Sequence, residues 1–154
     1  ARPAALRALD QLPIPDFSRQ AMADGWRVEL APALYAGGRR DLAARLLSRG
    51  VTSMRRNGVD LAPNQLLEAA AILEYLRGQP ERAARLMGAA RSVGGADREV
   101  MAFRTPASMA LYRHYLPFVR AALSPEAAQA AREEGRAMSL DEAFDDALTG
   151  IEQI

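Results

Sequence analysis

The sequence predicts an all-α chain: a stack of antiparallel helical hairpins closed by a C-terminal helical cap. Two observations carry that expectation. A five-residue signature occurs twice, as Ala43-Ala-Arg-Leu-Leu47 and Ala83-Ala-Arg-Leu-Met87, at an offset of 40 residues. At the same offset Tyr35 matches Tyr75 and Gly38 matches Gly78. Each copy therefore reads as a helix, a glycine turn and a second helix opening on small residues. Similarity at a fixed period marks a helical repeat array, because each unit buries its apolar face against its neighbours. The second observation is that every periodic stretch has the helical spacing and none has the alternation of a strand.

Residues 1–15 read as a linker or the end of a preceding repeat, with Leu6 and Leu9 on a short helix that Pro13 and Pro15 stop. Asp16 is a cap for a helix from about Phe17 to Ala36, with Trp26, Leu30 and Leu34 on one face. Pro32 should kink or split that helix, and Gly37-Gly38 ends it. The second helix runs from about Arg40 to Asn57, with Ala43, Leu46, Leu47, Gly50 and Met54 on its inner stripe and Arg45, Arg49 and Arg56 opposite. Asn57-Gly58 stops it, and Val59–Ala62 form a short loop. Pro63 suits a first helical position. From there to Arg77 the chain is apolar nearly all round, which places this helix at the centre of the fold. Pro80 opens the next helix, whose inner stripe is Ala83, Leu86, Met87 and Ala90, and Gly94-Gly95 ends it.

Residues 94–104 form a polar connection, and the repeat stops there. Thr105-Pro106 reads as a cap and first helical position, followed by Tyr112, Tyr115, Leu116, Val119 and Leu123 on one stripe. Pro117 is expected to interrupt this helix. Ser124-Pro125 starts an alanine-rich helix, which is expected to bury little by itself. Ser139 and Glu142 form a capping box for a last helix whose stripe includes Ala143, Phe144, Ala147, Leu148 and Ile151. The expected organisation is one compact domain: residues 1–15, two hairpins over 16–94, and a cap over 95–154.

Composition narrows the function classes. With 154 residues the chain is long enough for one domain with a real core. Hydrophobic residues make up 49% and charged residues 25%, as in a soluble globular protein. All 20 basic residues are arginine, and the net charge is only +1. The first 100 residues are mildly basic and the remainder mildly acidic. A nucleic-acid domain usually shows a stronger basic stripe, so direct nucleic-acid binding is disfavoured. The absence of cysteine excludes disulfides, thiolate metal sites and cysteine catalysis. No apolar run approaches a membrane span. No signal peptide is visible and the chain opens on Ala1, so a fragment or processed product of a cytoplasmic protein is expected.

The two copies resemble tetratricopeptide repeats. In the second copy Leu67, Ala71, Gly78, Ala83 and Ala90 sit at that repeat's packing positions. Glu74 stands at its usual tyrosine position, and the period is 40 residues where about 34 is usual. Two runs, Gly78-Gln-Pro-Glu-Arg-Ala-Ala-Arg-Leu-Met-Gly-Ala-Ala90 and Glu133-Glu-Gly-Arg-Ala-Met-Ser-Leu-Asp-Glu-Ala143, resemble the C-terminal repeat region of large bacterial regulators. In that family of LuxR- and MalT-like signalling ATPases, a P-loop ATPase is paired with tetratricopeptide-like repeats and often with a helix-turn-helix or cyclase domain. The resemblance implies a non-enzymatic interaction or ligand-sensing module involved in transcription regulation. Its partner would be a protein or peptide, with a small-molecule inducer and a second copy of the chain as further candidates. The catalytic and DNA-reading parts of such regulators lie outside this region. The alternative is a self-assembling structural adaptor with no small-molecule ligand.

No catalytic residue, metal ligand or cofactor is expected. His114 is the lone histidine, without an identifiable orienting group or further ligands, and reads as structural or surface. Asp141, Glu142, Asp145 and Asp146 lack calcium-loop spacing and read as helix-capping and solvated charge. Arg39, Arg40, Arg45, Arg49, Arg55 and Arg56 suit phosphate contacts, but a solvated outer face or intersubunit ion pairs is the preferred reading. The candidate binding residues are Trp26, Tyr35, Gln65, Glu68, Ile72 and Tyr75. They belong to the first helices of the two copies, which in a repeat array line the concave groove. Core filling in an aromatic-poor chain is the competing reading of Trp26 and the tyrosines.

Overall fold

A computed structural model describes residues 28–57, 63–93 and 106–154. Among them the chain is entirely helical, with no strand. The helices are α1 (Ala31–Ala36), α2 (Arg40–Asn57), α3 (Pro63–Leu76), α4 (Pro80–Val93), α5 (Pro106–Ala121), α6 (Pro125–Ala137) and α7 (Leu140–Ile151).

The doubled signature marks two turns of the same geometry. Gly38 and Gly78 both lie in the left-handed region, at φ 82° and 78°, where a side chain would be strained. Gly38 N–H donates to Tyr35 and Arg39 N–H to Leu34. Gly78 N–H and Gln79 N–H make the matching bonds to Tyr75 and Glu74, all at 2.8–3.0 Å. These bonds satisfy the last carbonyls of α1 and α3. Beyond each turn Ala43 and Ala83 are fully buried, so the second helix of each pair lies close against the first.

Proline has a different effect at each of two positions in the chain. Pro32 sits in the first turn of α1, where its missing N–H leaves no bond unmade. Residues 29 and 30 form a turn just before α1, so the helix expected from Phe17 to Ala36 is split ahead of Pro32. Residues 1–27, Trp26 among them, lie outside the described residues, as do residues 58–62 and 94–105. Pro117 does not interrupt α5, which runs unbroken from Pro106 to Ala121. Pro117 and Arg113 are both exposed. The carbonyl that loses its helical partner is therefore on the wet side of the helix, where water replaces the bond.

The core is centred on α3. All twelve residues from Pro63 to Glu74 are buried, because α1, α2, α4, α5 and α7 all pack around it. Leu66, Leu67, Leu73, Leu86, Leu47 and Phe144 are the bulky side chains of that core, each at most 1% exposed. α7 reaches α2, α3 and α4, using Ala143, Phe144, Ala147 and Ile151 as its buried stripe.

Helix α6 buries more than the sequence suggests. It lies along α4 with Ala128, Ala131 and Gly135 buried. A β-carbon on Gly88 would overlap the Arg132 backbone, and one on Gly135 would overlap the Arg85 carbonyl. Two glycines on facing helices thus let the backbones touch. An alanine-rich helix has little bulk to bury, but closeness supplies the dispersion contacts that bulk does not.

Ion pairs fasten the C-terminal helix. Arg85 Nε and Nη2 donate to the two oxygens of Asp146, both at 2.9 Å, and Arg82 approaches the same carboxylate at 3.3 Å. Arg55 of α2 donates to Asp145 at 2.6 Å and lies 3.7 Å from Asp141. Arg77, just past α3, donates to Glu74 at 2.7 Å and to the Gly150 carbonyl at 2.6 Å. The acidic residues of α7 are therefore largely committed to arginines of α2 and α4, and Glu142 closes the capping box with Ser139. Among the described residues no cluster of potential metal ligands occurs.

Candidate functional site

Of the residues singled out from the sequence, Gln65, Glu68, Ile72 and Tyr75 lie at i, i+3, i+7 and i+10 on one stripe of α3 facing α5, and Tyr35 lies on α1. Gln65, Glu68 and Ile72 come together with Glu29 and Pro32 against Leu111 and Tyr112 of α5. They bound a crevice of about 20 Å³, room for roughly one water. Tyr75 is half-buried, its ring 6.4 Å from both Tyr115 and Phe118, stacked on the latter at 22°. Tyr35 occupies the equivalent place in the first pair and instead carries the Arg40 guanidinium over its ring at 5.4 Å. The repeat thus gives the two tyrosines the same address and different neighbours. Trp26 lies outside the described residues. His114 is exposed, edge-on to Tyr115 at 4.8 Å. Among the arginines expected on one face, Arg45 pairs with Asp41 at 2.9 Å and Arg55 with α7, which leaves less free charge there than the sequence alone suggests.

Among the described residues, a space large enough to hold a ligand lies elsewhere. A cleft of about 640 Å³ opens between α4, α5 and α6, within the roughly 300–1,000 Å³ usual for small-molecule sites. Each helix contributes one stripe. Ala84, Met87 and Arg91 come from α4 at i, i+3 and i+7. Tyr112, Leu116, Val119 and Arg120 come from α5. Pro125, Ala128, Gln129, Arg132 and Arg136 come from α6, with Leu123 from the turn before it. Met87, Val119 and Ala128 are buried and make an apolar floor, whereas Arg91, Arg120 and Arg136 are exposed at the rim and Arg132 is half-buried.

The electrostatics are one-sided. Among the described residues, four arginines line the cleft and no carboxylate does. Among the described residues none of the four forms an ion pair. Arg132 donates to the Gln129 side-chain oxygen Oε1 at 3.3 Å, and Gln129 Nε2 in turn donates to Glu133 at 2.5 Å. The imbalance follows from the commitments made nearby: Asp146 is held by Arg82 and Arg85, and Arg85 also draws Glu134 to 3.7 Å. The Asp146 hydrogen bond keeps Arg85 more firmly protonated than an ordinary arginine.

The sequence reading missed Arg91, Arg120, Arg132 and Arg136. The helical spacing of Gln129, Arg132 and Arg136 was a visible sign of one polar stripe. What no single helix shows is that three such stripes converge, and that depends on the glycine contact between α4 and α6. Compared with protein-family models, curated proteins and solved structures, the chain matches none.

Proposed function

We propose that the chain is a non-enzymatic sensing module of tetratricopeptide-like character, which holds a ligand between α4, α5 and α6 and reports whether that cleft is filled. The observation behind this reading is the cleft itself: ligand-sized, open, with an apolar floor and a polar rim. Among the described residues its lining holds four arginines, Gln129, Tyr112 and apolar side chains, a composition suited to binding. The mode of reporting follows from packing. α4 packs against α6, α3 and α7, so a ligand preferring one spacing of α4 and α6 biases the whole stack.

The wider setting is proposed from the two runs Gly78–Ala90 and Glu133–Ala143: a cytoplasmic, ATPase-coupled transcription regulator of bacteria, with the ATPase and output domains in other parts of that protein. Peptide or protein contacts on Tyr35 and Tyr75 belong to the same proposal.

The test is retention of a ligand. The purified chain is incubated with a small-molecule cell extract, desalted and weighed by native mass spectrometry. A bound mass is expected on the wild type and not on Leu123→Trp, in which an indole fills the mouth of the cleft. No bound mass on either, with identical melting before and after exposure to extract, would count against a sensing role.

A further inference from the structure

Resting on that reading, we infer that the α4–α5–α6 cleft is an anion-selective site for a small amphiphile, with an apolar body on the Met87–Val119–Ala128 floor and a phosphate or carboxylate head among the rim arginines. The chemistry is set by what lines the cleft. Arg120, Arg132 and Arg136 come from two helices whose backbones are fixed by neighbouring packing, and Arg91 closes the third side. Guanidinium groups present paired N–H donors that match phosphate and carboxylate oxygens in bidentate fashion. Four positive charges, with no carboxylate among the described lining residues, are a repulsive arrangement, which a bound anion relieves. An extended polyanion would call for a convex or open basic track, yet the charge here surrounds a pocket. The floor excludes a bare inorganic anion as the best fit, since an alkyl body buried on it adds hydrophobic stabilisation that a bare anion lacks.

A cation or a neutral ligand of the same shape would not use the rim. A cation would meet four like charges, and a neutral molecule would leave the guanidinium groups solvated but unengaged. The half-buried Arg132, aimed by its bond to Gln129, is the arginine best placed to hold the head group. The exposed Arg120 and Arg136 supply long-range attraction that salt weakens.

Calorimetric titration of the whole chain with decyl phosphate, decanoate, decanol and inorganic phosphate, each below its aggregation limit, tests the assignment. Decyl phosphate or decanoate is expected to bind at one site per chain, with both decanol and inorganic phosphate weaker by at least about tenfold. The two anionic probes separate a phosphate from a carboxylate ligand. In the double variant Arg120→Gln/Arg136→Gln, both changes on exposed positions, affinity for the anionic amphiphile should drop about tenfold and lose most of its salt dependence. In Leu123→Trp binding should vanish while melting stays close to wild type. Equal affinity for decanol and decyl phosphate would overturn the anion assignment and leave the sensing role intact. Tighter binding of a poly-glutamate peptide than of either amphiphile would overturn it in favour of an acidic protein partner. No saturable binding of any probe would overturn it as well, and paired with a negative extract experiment would remove the sensing reading too.

Discussion

Glu74 is the residue at which this chain departs furthest from ordinary core chemistry. It is 1% exposed in the last turn of the most buried helix, and one of its oxygens, Oε2, has no hydrogen-bond partner among the described residues. Burial raises its pKa above the ordinary glutamate value, more than the Arg77 and Arg82 charges and the Arg77 hydrogen bond lower it. The native state therefore holds the Glu74 proton more tightly than the unfolded chain does. Its contribution to stability is full below the ordinary glutamate pKa and is lost as pH rises through the higher folded value. Glu142 acts in the opposite direction. The Ser139 backbone N–H, and then its hydroxyl, lower the Glu142 pKa, so its contribution is present above the ordinary value and lost as pH falls. Glu74→Gln keeps the acceptor for Arg77 and removes the ionisation. Its melting temperature is expected to decline less than that of wild type between about pH 4 and pH 7; parallel melting curves in the two proteins would contradict this. Arg77→Met leaves Glu74 buried beside no close partner and takes the donor from the Gly150 carbonyl. A loss of about 3 kcal/mol is expected in urea unfolding. A change below about 1 kcal/mol would mean that the pair is better solvated than its burial implies.

At the scale of the helix, the sequence was most legible where a stop signal met a strong apolar period. α2 ends at Asn57, α3 opens on Pro63, α4 opens on Pro80 and α7 follows its capping box, all as the residues predict. The same logic placed Ser124 before α6, where its hydroxyl accepts from Ala127 N–H at 3.2 Å. Ser124→Ala should cost about 1 kcal/mol, seen as a lower urea midpoint with an unchanged slope; no change would mean that Pro125 alone fixes this helix start. Legibility failed where the outcome depended on a neighbouring helix or on which side of a helix faces water. Pro117 reads as a break in any one-dimensional scan and is harmless on an exposed face. α6 reads as weak because alanine contributes little area, yet its glycine lets it touch α4. Gly135→Ala would place a methyl against the Arg85 carbonyl, which has no rotamer to adopt. A loss of roughly 1–3 kcal/mol is expected, together with weaker ligand binding because the spacing of α4 and α6 shapes the cleft. Full stability in this variant would contradict the close approach.

Across the whole molecule, the 40-residue repeat was legible as register: it placed Gly38 and Gly78 in equivalent turns and Ala43 and Ala83 at equivalent close contacts. The candidate site was not legible, for a physical reason. Arg91, Arg120, Arg132 and Arg136 lie on three helices, and their charge becomes concentrated only because the carboxylates of α7 are drawn to Arg55, Arg82 and Arg85. A net charge of +1 over the chain hides this partition between neutralised helix contacts and an unneutralised cleft. The most direct test observes the floor of that cleft during titration. With methionine methyl groups labelled, decyl phosphate is added and the Met87 and Met54 signals are followed by NMR. A saturable shift of Met87, which lines the cleft, with Met54 of α2 unmoved, is the result expected. Both signals unmoved at saturating probe, or Met54 shifting in place of Met87, would contradict a ligand site between α4, α5 and α6.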